Sequence, residues 1–254
     1  MLKLTKYEFI KSRLTLIISA IIFALFEGYY LYSIITESTK HTAISTALLT
    51  FFGIASIFIV YIMAIVTYSK ELSSKSSYLI FMTPNTPLNI IFSKMLSILV
   101  IGIGFIIVIA TIAVLDVHLF FETYESTQNI VDFFKSFLEA MEINTAMIIP
   151  TFIVYCIEFM INFFSIVTMI YFAITLSATV LQNKPFKGFV SFALVIIFSL
   201  LMAKIEEFIP HIYEYPTNLT QSVISIVPTM AFEFLVMLAC IFGTAKLLEK
   251  KVSL

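Results

Sequence analysis

MLSILVIGIGFIIVIATIAVL, residues 95–115, runs for 21 residues without a charge. About 20 mostly apolar residues are needed to cross the hydrocarbon core of a bilayer as a helix. This stretch meets that length, and the sequence around it holds others. Residues 14–35 and 43–67 precede it. Residues 146–180, 186–203 (extending towards 209) and 224–248 follow it. Polar or charged segments separate the runs. No long polar face accompanies them, as a soluble helical core would require. The reading is an all-α polytopic membrane protein with six transmembrane helices.

Composition agrees. Of 254 residues, 60% are hydrophobic and 12% are charged, against about 25% charged in a soluble domain. The net charge of −1 says nothing about nucleic acid, but a nucleic-acid binder would need a basic patch, and the Lys and Arg residues do not form one. Cys156 and Cys240 lie inside apolar runs and read as small core residues, not as a disulfide or metal site. The first run follows Lys3, Lys6, Lys11 and Arg13. It is too long for a signal peptide and has no clear small-x-small cleavage site, so it reads as a retained helix.

Lys and Arg set the orientation. With a cytoplasmic N-terminus, twelve of the 15 fall inside: the four just named, Lys70, Lys75, Lys94, Lys184, Lys187, Lys246, Lys250 and Lys251. Only Lys40, Lys135 and Lys204 fall outside. The positive-inside rule therefore predicts cytoplasmic N- and C-termini. In the absence of Trp, Tyr29, Tyr30 and Tyr32 near the outer end of span one, and Tyr68 at the inner end of span two, suit the aromatic belt.

Four segments carry more than a connection. Residues 1–13 mix Leu2, Leu4, Tyr7, Phe9 and Ile10 with four basic residues, as an interfacial helix on an anionic leaflet would. Residues 68–94 begin as a short helix with Leu72, Tyr78, Leu79 and Phe81. Pro84 and Pro87 break it, because proline cannot continue the hydrogen-bond ladder. That helix either lies on lipid or docks a soluble protein. Residues 116–145 are acidic, with Asp116, Glu122, Glu125, Asp132, Glu139 and Glu142 against one Lys. Within them Ile130, Phe133, Phe134, Phe137, Leu138 and Met141 form one face of an amphipathic helix, either resting on the outer surface or closing a path. Residues 210–223, with Pro210 and Pro216 and Pro228 just beyond, either re-enter the membrane as two short pieces or form an ordinary outer loop.

Ionisable groups inside spans are costly and usually face protein or water. Glu27 in span one, Glu158 in span four and Glu233 in span six are therefore translocation-path candidates. Asn162, four residues after Glu158, shares its helix face. The alternative role is interhelical hydrogen bonding, worth about 0.6 kcal/mol on average. An intramembrane enzyme would need convergent catalytic groups. The sequence has no H-E-x-x-H spacing, and His41, His118 and His211 are scattered over outer loops, so no catalytic or metal site is expected.

The loose order Glu71, Ser76 and Ser77, Leu79, Pro84 and Lys94 before the third span resembles the coupling segment of ABC-2 type ATP-binding-cassette permeases. The glycine that often precedes the Leu in that family is absent. The six-span layout, the interfacial start and the outer segment between spans five and six resemble the family along the whole chain. The nearest likeness is to bacterial exporters of amphipathic peptides, of the phenol-soluble modulin or lantibiotic-immunity kind. The resemblance implies a single permease domain, 1–254, in a bacterial plasma membrane. It implies export of a peptide toxin or antimicrobial and a second permease copy. It further implies a separate cytoplasmic ATPase, carrying ATP and Mg, docked on Glu71, Leu72, Tyr78, Leu79 and Pro84. The sequence agrees in lacking a G-x-x-x-x-G-K-[ST] loop of its own. The alternative is an ion-coupled transporter or channel using the intramembrane Glu residues.

Overall fold

Long apolar stretches make long helices, and the computed structural model contains six among its described residues. It describes residues 2–73, 86–124, 145–180, 187–210, 212–213 and 218–252. The helices are α1 (Leu2–Ile35), α2 (Thr39–Ser73), α3 (Pro87–Tyr124), α4 (Thr145–Val180), α5 (Lys187–Glu206) and α6 (Leu219–Val252). Each is long and apolar enough to cross a membrane. The 20 residues of α5 rise about 30 Å, the thickness of the hydrocarbon core. The 38 residues of α3 rise about 57 Å and must extend past it.

Local chemistry fixes several ends. The α1–α2 turn closes with the amide of Ser38 donating to the Ser33 carbonyl at 3.3 Å and that of Glu37 to Ile34 at 3.0 Å. This is a Schellman closure, and Glu37 takes the left-handed φ of 49° that it requires. At the start of α3 the Thr86 hydroxyl accepts from the Asn89 amide at 3.4 Å. Pro87 occupies the first helical position, where its missing N–H costs nothing.

Several sequence expectations change here. Residues 1–13 are not a separate interfacial helix: α1 is unbroken from Leu2 to Ile35, with no proline and one glycine in it. Asp116 does not open an outer loop, because α3 continues through it to Tyr124. The apolar Val117, Leu119, Phe120 and Phe121 extend the helical run beyond it. Glu71 and Leu72 belong to the last turns of α2, and Leu72 is buried. Tyr78, Leu79 and Pro84 lie outside the described residues, as does the amphipathic stretch 130–141. Between α5 and α6 the described residues are turn or irregular, and α6 is already helical at Leu219 with Pro228 inside it.

The described residues form two compact units. The first takes residues 1–67 and 93–142, hence α1 with most of α2 and α3. Phe23 stacks on Phe52 at 5.2 Å and Phe26 meets the same ring edge-on at 6.1 Å. Ser33 and Ser45 hydroxyls pair at 3.2 Å, and Thr42 meets the Tyr124 hydroxyl at 3.1 Å. Lys94 is 2% exposed, and its ammonium donates to Glu8 Oε1 at 2.8 Å.

The second unit takes residues 68–92 and 143–254. Its α4 packs on both α5 and α6. Ser177 and Ser191 share a hydroxyl hydrogen bond between α4 and α5. At Gly243 of α6 an added Cβ would stand 2.8 Å from the Phe172 ring of α4, so glycine sets how closely the two helices approach. Tyr68 stacks on Tyr171 at 4.1 Å and hydrogen-bonds the Thr175 hydroxyl. Tyr68 and Tyr30 are 1% and 3% exposed. The belt role holds for neither: both rings are internal packing residues, whereas Tyr32 remains exposed.

Candidate functional site

Two acidic clusters lie within the apolar helices, one in each unit. In the first unit, Glu27 sits eight residues before the end of α1, and Asp116 sits eight before the end of α3. The two carboxyl groups are neighbours. The Tyr30 hydroxyl, one turn from Glu27, donates to the Asp116 main-chain carbonyl at 2.8 Å. That bond ties α1 to α3 beside the acids. Oε2 of Glu27 and Oδ1 of Asp116 are buried with no donor group against them among the described residues.

A cavity of about 660 Å³ lies between α1, α2 and α3, with Asp116 in its wall. Phe23, Leu49, Ile54, Ile109 and Phe120 give it apolar walls, and among the described residues Asp116 is its only charged one. Its size lies within the roughly 300–1,000 Å³ usual for small-molecule pockets.

In the second unit, Glu233 of α6 is 5% exposed. The Asn162 amide of α4 donates to its Oε1 at 2.6 Å, and among the described residues Oε2 is buried with no donor. Glu158 and Glu206 are its acidic neighbours. The face shared by Glu158 and Asn162 therefore meets Glu233, as their i, i+4 spacing permits.

Of the four path candidates, Glu158, Asn162 and Glu233 come together, and Glu27 finds a partner the sequence reading had assigned to a loop. The signal for Asp116 was present in the apolar residues on both its sides. The Glu8–Lys94 pair had no such signal, since 86 residues separate its members. Glu71 is half-buried one turn after Tyr68. Cys156 is exposed and not a core residue, and both cysteines are free thiols. Among protein-family models, curated proteins and solved structures, none matches this chain.

Proposed function

We propose that the chain is the transmembrane subunit of an ATP-driven exporter of the ABC-2 kind. Its six helices provide a path across the membrane for an amphipathic or hydrophobic substrate, in our reading a peptide toxin or antimicrobial. The observation that carries a transport role is the placement of acidic clusters inside membrane-length apolar helices. Buried carboxyl oxygens without donors are expensive in hydrocarbon, and such groups mark substrate or ion pathways. The ATP-driven reading rests on the resemblance around Glu71, Leu72, Pro84 and Lys94 and on the lack of a phosphate-binding loop in the sequence.

In this reading the chain is not itself an enzyme. A separate ATPase holding ATP and Mg docks on the segment from Glu71 to Pro84, and a second permease copy completes the path. The membrane is a bacterial plasma membrane with both termini cytoplasmic, as the distribution of Lys and Arg favours.

Reconstitution in proteoliposomes tests the reading. Export of a fluorescent amphipathic peptide should require the co-purifying ATPase and ATP. Transport that persists without them, driven by an ion gradient alone, overturns it. That result would favour the ion-coupled alternative, which the unsatisfied oxygens of Glu27, Asp116 and Glu233 also support.

A further inference from the structure

Two ties hold α1 beside α3. Near their starts Lys94 donates to Glu8 Oε1 at 2.8 Å. Exactly as far along each helix, Tyr30 donates to the Asp116 carbonyl at 2.8 Å. The helices therefore run parallel and in step. Between the ties lies a crevice of about 350 Å³. Phe9, Leu16 and Ala20 of α1 and Val100 and Gly104 of α3 line it, and the buried Phe52 of α2 backs it. Its polar wall residue, Ser19, already donates to the Leu16 carbonyl at 2.9 Å. The crevice thus calls for an apolar occupant. Ala20, Gly104 and Val108 are exposed, so it opens on the outside of the helices, where a bilayer supplies lipid. From Val100 to Ile109 it follows α3 for about 14 Å, roughly half the hydrocarbon thickness. That length suits an acyl chain of one leaflet and is too short for a crossing helix of another protein.

Charge marks the end at which the headgroup sits. Lys6 and Arg13 are exposed, three residues before and four after Phe9, so both neighbour it on the surface of α1. Arg13 directly precedes the apolar run that begins at Leu14, which puts it at the edge of the hydrocarbon. Glu8, the acid between them in sequence, is engaged by Lys94 at 2.8 Å and Lys11 at 3.5 Å. An arginine fork takes two phosphate oxygens at once, and a lysine adds a point charge. A free phosphate has nothing to place in the crevice, and a zwitterionic head brings a cation that these side chains repel. We propose that the crevice between α1 and α3 binds one anionic glycerophospholipid, with an acyl chain along Leu16 and Gly104 and the phosphate on Arg13 and Lys6. Basic residues beside a gap between helices are the form such headgroup sites take. The site is built within one unit of the chain and asks nothing of the ATP-driven reading.

The sequence contains no Trp, so a single introduced Trp reports on its own surroundings. The full-length Phe105→Trp protein carries the reporter in the crevice wall, and Phe58→Trp carries it on α2 at a position 61% exposed. Each is placed in phosphatidylcholine nanodiscs without any ATPase. Phosphatidylglycerol or phosphatidylcholine brominated along the acyl chains is then added as quencher. At Phe105→Trp the brominated phosphatidylglycerol should compete at least about fivefold better than the brominated phosphatidylcholine. At Phe58→Trp the two should quench alike. In the Phe105→Trp protein, Lys6→Gln/Arg13→Gln should abolish the preference and keep quenching by phosphatidylcholine. Gly104→Leu should also abolish it, by filling a space where an added Cβ meets nothing within 4 Å. Equal quenching by both lipids at Phe105→Trp, or the same preference at Phe58→Trp, overturns the proposal in favour of bulk lipid. A preference that survives Lys6→Gln/Arg13→Gln or Gly104→Leu overturns it too. Quenching by neither lipid overturns it in favour of a protein occupant, such as a second copy of the chain.

Discussion

Lys94 is the most deeply buried cation described, and its partner Glu8 is 11% exposed at the side chain. Breaking a buried ion pair from one side leaves an uncompensated charge, at a cost of about 3–5 kcal/mol. The two halves are not equivalent. Glu8 also has Lys11 at 3.5 Å, so it keeps a cation when Lys94 is lost. Glu8→Gln should therefore lower the melting temperature in detergent more than Lys94→Met does. The double variant Glu8→Leu/Lys94→Met should recover most of the loss, because neither charge is then stranded. In the second unit, Asn162→Leu removes the one donor to Glu233 among the described residues and should destabilise by about 1–3 kcal/mol. Glu233→Gln, which keeps a polar partner for Asn162 and removes the charge, should cost less in the same assay. These residue-scale pairings were only half legible. The i, i+4 spacing placed Glu158 beside Asn162, but a sequence does not state which helix a buried acid meets. Asp116 was misplaced because one acid at the edge of an apolar run looks like an interfacial residue until the apolar residues after it are counted.

At the scale of elements, the number of spans was legible because a bilayer imposes a minimum apolar length that the chain cannot disguise. The ends were less so. Helices here run past the hydrocarbon thickness, and a hydropathy run says where lipid stops, not where the backbone ladder stops. The turn between α1 and α2 shows what composition conceals: Glu37 takes a left-handed φ of 49°, a conformation that glycine adopts without strain. Glu37→Gly should raise stability by up to about 1 kcal/mol, read as a higher melting temperature. Gly243 works in the opposite sense. Gly243→Leu should drive α6 against the Phe172 ring and cost about 1–3 kcal/mol. Phe172→Ala in the same chain should return part of that loss, which a purely helix-propensity effect would not allow.

For the whole molecule, the apolar surface is the dominant fact. None of the apolar window of α5 is buried within the chain, and Phe189, Phe192, Leu200 and Leu201 are all more than half exposed. Such a surface needs a hydrocarbon solvent or another protein, as membrane-spanning helices do. Orientation is testable at this scale. With Cys156 and Cys240 replaced by alanine, Lys40→Cys should react with a membrane-impermeant maleimide on intact cells. Labelling only after lysis would reverse the assignment of inside and outside.

The three-residue connection between α1 and α2 also bears on how the chain is made. Ser33 and Ser45 are 12 positions apart, so their contact closes a short loop as soon as both helices have left the ribosome. Glu8 must wait until Lys94 emerges, 86 residues later. The first two helices are thus placed to enter the bilayer as a preformed hairpin, with low sequence separation and rapid closure. The arrival of α3 then locks a hairpin that already exists, bringing Lys94 to a glutamate that already has Lys11 beside it.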